Sequence, residues 1–80
     1  MKNQVKLKNH IVIRCKDNNE KMKIGNYIHD RLRGNLDYID NRIILNVDDP
    51  QTVHVWVYED CTIDYDSIIK LALKDATLTS

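Results

Sequence analysis

Residues 52–58 read Thr52-Val-His-Val-Trp-Val-Tyr58, or TVHVWVY. Successive side chains of an extended chain point to opposite faces, so Val53, Val55 and Val57 share one face and His54, Trp56 and Tyr58 the other. Three β-branched residues on one side mark a strand that turns that side to a core. The opposite side carries the chain's only tryptophan, in a sequence without phenylalanine. What pairs with this strand decides the fold, and what covers its aromatic side bears on function.

Immediately upstream, Asp48-Asp49-Pro50-Gln51 has turn chemistry: proline fixes one dihedral, and the aspartates can accept hydrogen bonds from nearby backbone amides. Before it, residues 42–47 alternate again, with Ile43, Leu45 and Val47 inward and Arg42, Ile44 and Asn46 outward. Residues 42–58 therefore read as a β-hairpin. Leu36 to Ile39 is expected either to extend the first hairpin strand or to form a short strand turned at Asp40-Asn41.

Further upstream, residues 4–16 form a third extended stretch, with a bend expected near Asn9. Val5, Leu7, Ile11, Ile13 and Cys15 are assigned to its inner face. Lys6, Lys8, His10, Val12, Arg14 and Lys16 are assigned to its outer face. Asp17-Asn18-Asn19 offers a helix N-cap, after which Ile24, Ile28 and Leu32, with Tyr27 beside them, recur at helical spacing. The predicted helix spans residues 20–33 and stops at Gly34-Asn35, residue types that tolerate the left-handed C-cap. Downstream of the hairpin, Thr62-Ile63-Asp64 signals a second helix start. Tyr65, Ile68, Ile69, Ala72, Leu73 and Ala76 give that helix an apolar stripe over residues 65–76.

The predicted order is β-α-β-β-α, an α+β chain. A crossover from the first strand to the second, with the third returning between them, gives a three-stranded antiparallel sheet in order 1-3-2 with both helices on one face. This is a ferredoxin-like half lacking its last strand. In outline it also matches small RNA-binding folds of the KH type, but neither Gly25 nor Gly34 has the second glycine of a G-x-x-G loop, so that function is not inferred.

Composition bounds the rest. Eighty residues make a single compact domain over 1–80, and a chain this short removes only about 60% of its unfolded surface from water. No apolar run approaches the roughly 20 residues of a bilayer span, and the start, MKNQVKLKNH, lacks the apolar segment of a signal peptide. A cytoplasmic location is expected. Cys15 and Cys61 are too few for a disulfide framework and read as small buried hydrophobes. Ten aspartates against two glutamates, with lysine, asparagine and isoleucine abundant, lean toward an AT-rich source such as a low-GC bacterium, its phage or another mobile element. Formal charge is zero, yet residues 1–33 hold nine basic and three acidic side chains and residues 34–80 hold three and nine. The halves of opposite sign are expected to attract one another within a small fold; the alternative is a basic and an acidic surface that meet different partners.

If the helices cover the valine face, the other face of the sheet has no helix left to cover it. Val12, Ile44 and Trp56 would form its apolar centre, with His54, Tyr58, Lys6, Lys8, Arg14 and Arg42 around them. An apolar centre with a polar rim has the anatomy of a protein interface, and Trp, Tyr and Arg are enriched among its hot spots. The expected function is a non-enzymatic interaction protein, regulatory or inhibitory, that binds a protein partner or a second copy as a homodimer. The unpaired edge of the first strand offers such a partner a second means of attachment. The alternative is single-stranded RNA or DNA, with Trp56, Tyr58 and His54 stacking on bases and the lysines and arginines tracking phosphates. A third possibility is that the chain's own ends, or residues 35–41, lie over Trp56.

No cofactor, metal or small-molecule substrate is implied. His10 and His54 are expected to be able to face each other across the first and third strands, where they could tune a contact between about pH 6 and 7, but they lack a third ligand at useful spacing. Ser67 and Ser80 lie in no nucleophile turn, and two isolated glycines cannot cradle a phosphate. Asp48-Asp49 and Glu59-Asp60 are accounted for by turns and helix entry, so catalysis is not expected.

Overall fold

The computed structural model describes residues 6–78, so Val5 and the ends flanking this range lie outside the described residues. Strand β1 (Leu7–Arg14) leads to helix α1 (Asn18–Leu32), a one-turn helix α2 (Leu36–Ile39), the hairpin strands β2 (Ile43–Asn46) and β3 (Thr52–Tyr58), and helix α3 (Tyr65–Leu78). The sheet is antiparallel in the order β1-β3-β2, and TVHVWVY is its central strand. Among the described residues, no helix is long and apolar enough to cross a membrane.

Val53, Val55 and Val57 are fully buried, and Ile13 and Ile43 join them from the flanking strands. Ile24, Ile28 and Leu32 from α1 and Ile69, Ala72 and Ala76 from α3 complete one continuous core against this face. The small side chains of Ala72 and Ala76 fit where α3 packs beside α1. Cys15 and Cys61 are both buried free thiols in this cluster, and burial pushes the Cys15 thiol up from its ordinary range.

Local chemistry sets the helix ends. Asp17 is extended and its carboxylate accepts the Glu20 amide at 2.8 Å, while the Glu20 carboxylate accepts the Lys16 amide at 2.9 Å. Two amide donors at the start of α1 are thus satisfied reciprocally. Gly34, at φ +85°, takes the left-handed conformation that ends the segment. Inside α1, Gly25 lets the helix approach the end of β2, since a Cβ there would lie 3.0 Å from a Val47 methyl. One turn earlier, Lys21 buries its stem and donates from Nζ to the Val47 carbonyl at 2.8 Å.

Leu36 to Ile39 departs from the expected strand. Asn35 caps the segment by accepting the Asp37 amide at 2.8 Å, and Asn41, at φ 62°, turns the chain into β2. Leu36 and Ile39 face outward, whereas Tyr38 packs against the core edge. Four residues are too few to separate alternation from a single helical turn, and the Asn cap decided the matter.

Asp37 also ties α2 to the loop before α3, its carboxylate accepting both the amide and the hydroxyl of Thr62 at 2.8 and 2.9 Å. The Thr62 amide, then its hydroxyl, hold the Asp37 carboxyl below its usual range. A carboxylate depressed in the folded state stabilises the fold above its unfolded value, near ~3.9, and that contribution is lost as pH falls through the lower folded value. Asp37→Asn should therefore lower the melting temperature at neutral pH and flatten the wild-type loss of stability in acid. Parallel thermal melts from neutral pH down to about pH 3 provide the measurement.

Candidate functional site

Among the described residues, the second face of the sheet carries no helix. Strand register sets its rows: His10, Trp56 and Ile44 lie side by side, Val12, His54 and Asn46 form the next row, and Arg14 lies opposite Thr52. The expected apolar centre is assembled, with Trp56 and Ile44 half-buried and Val12 44% exposed.

At the other end the face differs from expectation. The β1–β3 register shifts between Leu7 and Asn9, so that Leu7 lies opposite Tyr58 and Asn9 opposite Val57. This bulge at Lys8 inserts one residue, and everything before it changes sides. Leu7, expected in the core, joins the open face at 45% exposure. Lys8, expected on that face, donates from Nζ to the Cys61 carbonyl at 3.4 Å and lies 5.8 Å from the Tyr65 ring on the helix side. Lys6 lies just before β1, with its carbonyl accepting the Glu59 amide at 2.9 Å. The signal was Asn9, an amide where an unbroken alternation demands an apolar residue. It indicated a bend, but a bend alone does not give the direction of the shift.

Arg42 sits at the end of the face in an ion pair with Asp60, 2.7 Å from Nη1 to Oδ2. The pair is about two-fifths exposed at each partner, so it orients the guanidinium more than it stabilises the fold. Residues 35–41 do not reach Trp56. Tyr38 turns to the helix side, where its hydroxyl meets His29 Nδ1 at 2.9 Å beside an open groove of about 210 Å3.

At the centre of the face the two histidines expected to face each other across β1 and β3 do meet, and they meet beside Trp56. The His10 ring lies flat on the Trp56 indole, with centroids 3.6 Å apart and planes 7° apart. His10 Nε2 and His54 Nδ1 are 3.0 Å apart, while the two ring centroids are separated by 5.2 Å at 19°. That separation is about the N···N distance plus two ring radii, so the imidazoles meet edge to edge in nearly one plane. His54 Nε2 continues the line to Thr52 Oγ1 at 3.3 Å. Thr52, His54 and His10 thus form a hydrogen-bonded row across the strands, and Trp56 supports its outer end. Because the Thr52 hydroxyl gives its hydrogen to the Asp49 carboxylate, Thr52 Oγ1 accepts from His54 Nε2, and the hydrogens of the neutral row point from His10 toward Thr52.

Among the described residues, no group of three or more His, Cys, Asp or Glu side chains is placed to hold a metal ion. The groove between α1 and β2 is smaller than the roughly 300–1,000 Å3 of small-molecule sites. Compared with known proteins, the chain matches no family model, no curated protein and no solved structure.

Proposed function

We propose that this chain is a non-enzymatic interaction module that docks another protein on the open sheet face, around Leu7, Val12, Ile44 and Trp56. The observation that carries this reading is the bulge at Lys8, which exchanges an expected lysine for a leucine. The face becomes more apolar and less cationic, which suits a protein surface. Base stacking is correspondingly disfavoured. A base needs a free aromatic face, and His10 occupies one face of Trp56 while Lys8, expected to neutralise phosphates, lies on the helix side. A chain without chemistry of its own acts by occupying a partner's surface, the mode of a regulator or inhibitor. Two buried free thiols suit a reducing compartment such as the cytoplasm.

Val12→Lys tests the site without touching the core. Val12 is exposed on an edge strand, so folded stability should change by no more than about 0.5 kcal/mol, while a lysine at the apolar centre should abolish docking. Immobilised wild type and variant are compared for retained proteins, with sedimentation reporting self-association and oligonucleotide titration reporting nucleic acid. A protein held by wild type and lost from the variant supports the face. Equal retention by both, or oligonucleotide binding that falls steeply with salt, overturns the reading.

A further inference from the structure

The edge-to-edge histidine pair, with His10 stacked on Trp56, is the one feature of the open face that an apolar docking surface does not require. We propose that the His10–His54 pair is a proton-controlled cover for Trp56, closed while the facing nitrogens share one hydrogen and opened when both rings are protonated. Its role in docking rests on the interface reading above, while its geometry does not.

With neutral rings, one of the two facing nitrogens donates and the other accepts. Adding one proton leaves that contact intact and makes it charge-assisted, with an imidazolium as donor. Adding the second puts a hydrogen on both His10 Nε2 and His54 Nδ1, which stand only 3.0 Å apart. Two N–H groups then face each other, each on a cation, and the rings must part. The opening belongs to the second step of the coupled pair.

Which ring moves follows from the anchors. His54 keeps its place on the central strand, because its other nitrogen can still donate to Thr52 Oγ1 at 3.3 Å. The carboxylate of Asp49 stands in the turn before Thr52 and accepts from the Thr52 hydroxyl. The Gln51 amide, then the Thr52 hydroxyl, hold that carboxyl below its usual range, so it is already an anion when the imidazoles charge. His10 is an exposed side chain on the edge strand, with only the His54 contact and the Trp56 stack among the described residues. His10 therefore swings away and uncovers the indole.

Among the described residues, the other ionisable groups around this face are Arg14, Tyr58, Asp48 and the Arg42–Asp60 pair, and no helix packs on this side. Arginine, tyrosine and aspartate side chains ordinarily titrate outside the window between about pH 5 and 8, where histidine changes charge. In that window the cover is the part of the face that responds. A partner that needs the Trp56 surface would dock more tightly on acidification.

Trp56 is the chain's only tryptophan, so its emission reports on the cover alone. Between about pH 8 and 5, wild-type emission should shift to longer wavelength and its acrylamide quenching constant should rise, with far-UV dichroism unchanged. His10→Ala should show the high quenching constant at both ends of the range. His54→Gln should show the low one at both, because a glutamine carbonyl accepts from His10 whatever the ring's charge. A wild-type signal that does not change, a His54→Gln signal that follows wild type, or loss of dichroism within the window each overturns the proposal. A pH response in a protein that docks nothing would remove the interface reading and leave the cover standing. Docking through Val12 with no pH response at Trp56 would do the reverse.

Discussion

Ile28→Ala should lower the unfolding free energy by about 2–5 kcal/mol, which for a domain stable by only about 5–15 kcal/mol is a large share. Ile28 sits in the middle of α1 at 1% exposure, in the cluster that joins the helix to the valine face of the sheet. The truncation removes three carbons' worth of buried contact and leaves a void that neither the sheet nor α3 can close without moving. Fully buried Val53, Val55 and Val57 in β3, together with Leu32 one turn along the helix, hold the surrounding wall in place. Rigid walls keep cavities open, so the cost should fall in the upper part of that range. Urea denaturation followed by far-UV dichroism provides the measurement, with a lower midpoint and an unchanged slope as the expected result. A loss below about 1 kcal/mol would mean that α1 rests loosely on the sheet. Leu36→Ala is the internal control: at 72% exposure its side chain is already in water, and truncation should change stability by no more than about 0.5 kcal/mol.

The sheet order and the two long helices were legible because their signals are redundant. Each strand shows several cycles of alternation, and each long helix joins a cap residue to a stripe of three or more apolar side chains. Leu36 to Ile39 had a cap residue but no stripe, and the Asn35 side chain's bond with the Asp37 amide decided its conformation. The open face was legible in its central rows, where register follows from unbroken alternation. It failed before Asn9, because a one-residue bulge moves every preceding side chain and period-2 reasoning cannot count an inserted residue. The facing histidines were legible as a pair, but their stack on Trp56 and link to Thr52 were not. His10 and His54 are 44 residues apart, and only the β1–β3 register, which sets His10 opposite Trp56 and His54 opposite Val12, brings their rings together.

Trp56→Ala separates the two fates open to an aromatic residue on a helix-free face. A tryptophan in a closed core costs about 3–5 kcal/mol when truncated, whereas the half-buried Trp56 should cost about 1–2 kcal/mol, mostly through the lost His10 stack and its contacts along the row. Docking should suffer far more. A central aromatic hot spot contributes about 2 kcal/mol or more, so the variant should bind a partner of this face about thirtyfold or more weakly while remaining folded. Two measurements are needed, equilibrium denaturation of the variant and titration with any partner retained by wild type in the Val12 comparison. A small stability loss with a large binding loss identifies Trp56 as surface that awaits a partner. A loss of 3–5 kcal/mol would instead identify it as core, closed by parts of the chain outside residues 6–78, and the open face would then lose its claim to be an interface. His10 sharpens the distinction, because a ring stacked at 3.6 Å already shields one side of the indole without help from any other element. That shield lets a large aromatic side chain stand on a free sheet face in water, and it leaves the remaining exposed surface of the indole, beside Ile44 and Val12, as the part a partner must cover.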